Sequence, residues 1–147
     1  MPEPTQVHSG WQLFAFGSAL FAALTAIFGK LGVEEINSNF AVLIRTVIVA
    51  VITAGIVVAR KEWEPLGQVS RFGLLMLVLS ATATGLSWLC YYHALQMAPA
   101  SYVAPIDKLS VALVIVLAAI FLREPLTLKT VLGGALVVVG ALVLARE

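Results

Sequence analysis

Runs of apolar residues at about 11–29, 39–59, 72–92, 100–122 and 126–144 dominate this chain of 147 residues. A bilayer core about 30 Å thick is crossed by a helix of roughly 17–25 residues, and each run reaches that length. A soluble helical bundle would need a broad polar face on its outer helices, and none of the five runs has one. Only 12% of the residues are charged, against about a quarter in an ordinary soluble domain. The longest connection, 60-RKEWEPLGQVSR-71, carries charge, Trp63 and Pro65 as an interfacial loop does. The pattern predicts an all-α, multi-pass integral membrane protein, with five transmembrane helices forming a single domain over residues 1–147. Its principal surroundings are the lipid bilayer.

The start, MPEPTQVHSGWQ, lacks a basic segment ahead of the first apolar run, so that run reads as a retained span. A net charge of +1 gives no basis for a nucleic-acid partner, and the single cysteine, Cys90, excludes a disulfide framework. Lysines and arginines set orientation. Arg60, Lys61, Arg71, Arg123 and Lys129 share the side of the N-terminus, against Lys30 and Arg146 opposite, which favours a cytoplasmic N-terminus. Arg45 and Lys108, inside the other half of the membrane, narrow the ratio to five against four.

Those buried charges raise the functional question. Asp107 and Lys108 lie about seven and eight residues into the fourth run, roughly 10–12 Å deep by helical rise. A charge near the middle of a bilayer costs about 2.5–3.5 kcal/mol on the insertion scale, so it needs a partner or a watery cavity. Arg45 enters the second run from the same side, Trp88 and Tyr91 lie near that end of the third, and Lys30 closes the first. Helix neighbours diverge by about 100°, so Asp107 is expected to pair with Arg45, leaving Lys108 facing an opening. Pro105 cannot donate to the carbonyl of Ser101, and such a break is tolerated where it lines a cavity. The competing reading is a structural ion pair that locks helix packing.

Ser80, Thr84, Ser87 and Tyr91 recur at spacings of four, three and four, forming one stripe of the third helix beside Trp88. The stripe reads as a hydroxyl-lined groove ending in aromatic rings, or as hydroxyls bonding their own backbone. Tyr92 and His93 fit an interfacial aromatic belt. Small residues at Ser18, Ala22 and Ala26, and at Gly133, Gly134, Gly140 and Ala141, mark close helix contacts. The last span is therefore assigned to packing or dimerisation, not to solute contact. There is no HExxH, GxSxG or phosphate-cradling glycine loop, and His8 and His93 are far apart, so no catalytic site, metal or cofactor is expected.

The stretch WLCYYHALQMAPASYVAPIDKLSVALVIVLAAIFLREPLTLKTVLGGALVVVGALVLA, Trp88 to Ala145, resembles the second half of an EamA domain of the drug/metabolite transporter superfamily. It has the tyrosine–alanine–leucine stretch, the small-residue loop with Pro99 and Ala100, Glu124 in the short fourth loop, and a glycine-bearing last helix. AIFGKLG and AVLIRTVIV fit the first half. The resemblance implies a five-helix unit, half of a ten-helix plan in which two inverted units enclose a substrate path. It further implies an antiparallel homodimer, or a paired five-helix partner, in a bacterial or archaeal cytoplasmic (inner) membrane. The implied function is secondary transport, export or exchange of small polar metabolites, coupled to protons through Asp107. The excess of Lys30, Arg45 and Lys108 over Asp107 favours an anionic or zwitterionic solute. The alternative is a non-transporting subunit that scaffolds or stabilises a partner protein.

Overall fold

The computed structural model describes residues 10–145, apart from the side chain of Leu66. His8, named above in setting aside a metal site, and Arg146, counted for orientation, lie outside the described residues. Helix α1 spans Trp11–Val33, α2 spans Ser38–Ala59 and α3 spans Arg71–Met97. The fourth apolar run becomes α4, Ala100–Asp107, then α5, Leu109–Leu117, ending in a π-helical turn over Ala118–Leu122. Helix α6 is Leu128–Leu144. The chain is an all-α membrane protein, with four spans of membrane length and a shorter apolar helix of 17 residues, the lower limit for crossing.

The helix ends follow capping and breaker chemistry, which apolar runs do not report. Side-chain oxygens of Asn37, Ser70 and Thr127 accept backbone N–H groups of Asn39, Gly73 and Thr130 at the starts of α2, α3 and α6. Pro99 forces Ala98 into extended backbone (φ −142°, ψ 160°) and stops α3 there. Nothing breaks the chain earlier, so α3 runs beyond the expected end at residue 92, and α1 likewise runs past residue 29 to Val33.

That extension corrects one assignment. Tyr92 is not in an interfacial belt; it is 5% exposed, in a cluster with Val33, Ala41, Val42, Leu95 and Val103. The extra turn of α3 moves it inward from the helix end, and its ring lies over Gly29. A Cβ at Gly29 would stand 3.2 Å from the Tyr92 hydroxyl, so glycine permits this approach. His93 is exposed.

The buried cluster lies at one face of the bundle, where α1 and α3 end and α2 and α4 begin. Helix α3 packs against α1, α2 and α4. In contrast, α5 and α6 pack on each other and on α4, with no close backbone approach to α1, α2 or α3 among the described residues. Gly134 is the tight point of the α5–α6 contact, where a Cβ would meet Ile115 Cδ1 at 2.8 Å; Gly133 and Gly140 have open space beside them. Phe14, Phe21, Leu77, Leu113 and Phe121 point outward, more than half exposed. Apolar surface so continuous requires lipid around it.

With α6 crossing as a fifth span, the chain ends are expected on opposite sides of the membrane. Reporters fused to the two ends are expected to register opposite compartments in each molecule. Both ends on the same side, in a population of uniform orientation, would contradict the five-span topology.

Candidate functional site

The fourth span is broken where its charges sit. Pro105 contributes no N–H, and Lys108 turns out of the helix (φ −71°, ψ −8°), its N–H donating to the Pro105 carbonyl at 3.0 Å. The long, flexible Lys108 side chain reaches back across the divergence of adjacent helical side chains. Lys108 Nζ donates to Asp107 Oδ2 at 3.1 Å, and the two side chains are 54% and 36% exposed. This corrects the expected pairing of Asp107 with Arg45, which is not among the ion pairs of the described residues.

Arg45 has a different partner. Its guanidinium carbon lies 4.0 Å from the centroid of the Trp88 ring and 5.5 Å from that of Tyr92. A cation over an indole face gains about 0.5–2 kcal/mol, the upper end where water is excluded. The contact holds the guanidinium against the rings, and the charge has no carboxylate ion-pair partner among the described residues.

Arg45, Ser87, Trp88, Tyr91, Asp107 and Lys108 line one cavity of about 350 Å³. Ala22 and Thr25 of α1 and Ser110 of α5 complete its wall. The sequence reading placed most of these groups at one depth but missed Thr25 and Ser110. Thr25 follows Ala22 by three residues, so the small-residue stripe of α1 carries the signal that would have found it.

Three expected groups lie elsewhere. Ser80 and Thr84 are exposed outside this cavity, and the Thr84 hydroxyl donates to the Ser80 carbonyl at 2.9 Å along its own helix. Lys30 is also absent from the cavity wall; its Nζ donates to the Leu95 carbonyl at 2.7 Å, in the last turn of α3. Gln96, which the sequence reading passed over, works in the opposite direction. Its Nε2 donates to the carbonyl of Val33 (3.1 Å), the last residue of α1, and to that of Ile36 (3.0 Å), just beyond it. Each of the two helices thus satisfies end carbonyls of the other, groups that have no partner within their own helix.

Lys30→Met is therefore expected to act on stability. Loss of a charge-assisted hydrogen bond should cost about 1.5–3 kcal/mol. Unfolding in mixed micelles with increasing dodecyl sulfate measures it. A variant as stable as the parent would contradict the clamp.

Arranged this way, the cavity offers two cations, one carboxylate, hydroxyls and an aromatic face. An anion could bridge Arg45 and Lys108, and the ammonium of a zwitterion could meet Asp107. Among the described residues there is no grouping of His, Cys, Asp or Glu suited to a metal ion.

Residues 9–146 match the EamA-like transporter family. The chain is 48% identical over 135 residues to an uncharacterized transporter encoded in the cobO 3′ region of Sinorhizobium sp., covering 92% of this chain and 96% of that relative. It is also 32% identical over 68 residues to an uncharacterized protein of Methanocaldococcus jannaschii, covering 46% of this chain and 50% of that protein. No solved structure matches the chain.

Proposed function

The chain belongs to the EamA-like transporter family, and from that premise we propose that it is a secondary transporter of small polar solutes, anionic or zwitterionic, working as a dimer. The observation that carries this reading is the cavity at the break in the fourth span. It gathers Arg45, Asp107 and Lys108 with the Trp88 ring, within apolar runs where an unpartnered charge is costly. An ion pair serving assembly alone would be expected to be enclosed and dry. The Asp107–Lys108 pair is open, and Arg45 stands apart from it on an aromatic face.

The charge balance of the cavity selects the solute class. Two cations against one carboxylate attract a carboxylate or phosphate and oppose a lone lipophilic cation. A solute carboxylate would compete with Asp107 for Lys108, so binding exchanges one ion pair for another instead of stripping a charge of its partner. Alternating access requires a second unit, and an inverted arrangement of two such units is a general plan for transporters.

The test is uptake by proteoliposomes containing the purified protein, using labelled amino acids, monocarboxylates and quaternary ammonium ions. Exchange of an anion or zwitterion, with the cations excluded, is the expected outcome. Uptake confined to quaternary ammonium ions, or no uptake of any class, would overturn the reading.

A further inference from the structure

The polar cavity does not stop at Lys108. Ala22, Tyr91 and Lys108 also line a second, larger cleft of about 650 Å³ between α1 and α6. The cleft exists because α6 packs on α4 and α5 and makes no close backbone approach to α1. Its walls are alanines of α1, including Ala15 and Ala19, facing Val137 and Gly140 of α6. The polar side chains on it are Ser18, Tyr91 and Lys108, and the latter two stand at the junction with the charged cavity. Another apolar groove, between α1 and α2, borders Arg45. Arg45 borders that groove and the charged cavity alike, but its guanidinium is held over Trp88 and Tyr92. The α1–α6 cleft is the larger of the two and shares Ala22, Tyr91 and Lys108 with the charged cavity.

One continuous site thus has a charged half and an apolar half. Resting on the reading of the charged cavity as the solute site, we propose that the solute is amphipathic. Its anionic or zwitterionic head occupies the space among Arg45, Asp107 and Lys108, and its apolar chain extends past Tyr91 into the α1–α6 cleft. A wholly hydrophilic metabolite would leave the larger half of the site unfilled. A membrane lipid lying in the cleft, or a second copy of the chain covering it, are the competing occupants.

The experiment measures binding to the protein in lipid nanodiscs, with empty nanodiscs subtracted. The probes are straight-chain α-amino acids and monocarboxylates of increasing length. In at least one series affinity should rise about two- to fourfold per methylene until the cleft is filled, as expected for burial of apolar surface. Gly140→Leu should remove most of that rise, because a side chain there projects into open space on the cleft wall. Gly133→Leu, on the same helix with equally open space but away from the cleft, should keep it. Binding independent of chain length would overturn the amphipathic solute while leaving the polar-solute transporter intact. A rise that survives Gly140→Leu would assign the chain to lipid and overturn it too. In a Cys90→Ser background, disulfide cross-linking of Gly140→Cys between copies would place a second copy over the cleft, with the same consequence. Failure of both series to bind at any length would remove the underlying transporter reading as well.

Discussion

Arg45→Gln is expected to weaken solute binding by about ten- to a hundredfold, with the loss appearing as a raised KM for uptake. The magnitude follows from removing one charged hydrogen bond, about 1.5–3 kcal/mol, at 1.4 kcal/mol per factor of ten. Arg45→Lys should recover only part of it. Lysine keeps the charge but lacks the flat guanidinium that lies 4.0 Å over Trp88, so the charge is no longer held in place. Stability should separate Arg45 from a structural role. Asp107→Asn breaks an open ion pair, whose side chains are 54% and 36% exposed, and should change stability by less than about 1 kcal/mol. A dry pair would cost about 3–5 kcal/mol on loss of one partner. Unfolding measurements beside the uptake assay decide between them. Wild-type KM in Arg45→Gln would remove this residue from the solute site.

The second expected result concerns the dimer and is all-or-none. A chain forced into one orientation by added terminal lysines should lose transport alone. It should regain transport when co-expressed with a chain forced the other way. The charged cavity and the buried cluster both lie toward one face of the protomer, where α1 and α3 end. Two protomers in opposite orientation would bring one charged cavity near each membrane surface, and rocking one against the other would alternate which is open. Parallel protomers would put both cavities at the same surface and leave the other half of the path apolar. The narrow difference in lysine and arginine between the two sides is compatible with insertion both ways. Normal transport by a chain locked in one orientation would exclude the antiparallel form.

The features legible in the sequence were those set by composition and depth. Apolar run length gave the helices, and helical rise placed Arg45, Trp88, Tyr91, Asp107 and Lys108 at one level, where they share a cavity. Side-chain direction alone was a poor guide to ion pairing, because a lysine side chain is long and flexible. Adjacent Asp107 and Lys108 diverge on an α-helix, yet the lysine stem is long enough to bring Nζ within 3.1 Å of Asp107 Oδ2. The end of an apolar run was also a poor guide to the end of a helix. Helix α3 continues to Met97 until proline stops it, which buries Tyr92 and places Gln96 against the end of α1. Thr84 shows the limit of a periodic stripe. It has the right phase, but the Ser80 carbonyl is the nearer partner for its hydroxyl. The last span, assigned to packing, does so at Gly134 against Ile115, but its neighbouring face toward α1 opens into the larger cleft.

Whether the charged cavity is filled with water in the membrane can be measured directly. In a Cys90→Ser background, single cysteines at Ser87, Thr84 and Lys108 are exposed to a membrane-impermeant, water-soluble thiol reagent in sealed vesicles of each orientation. Ser87 and Lys108 line the cavity, whereas Thr84, one turn away on α3, does not. Ser87→Cys and Lys108→Cys should react, and a transported solute should slow the reaction of Ser87→Cys, which keeps all three charges, while Thr84→Cys stays unreactive. Equal reaction at Ser87→Cys and Thr84→Cys, or no reaction at Ser87→Cys and Lys108→Cys, would contradict a water-filled solute site at the break in the fourth span.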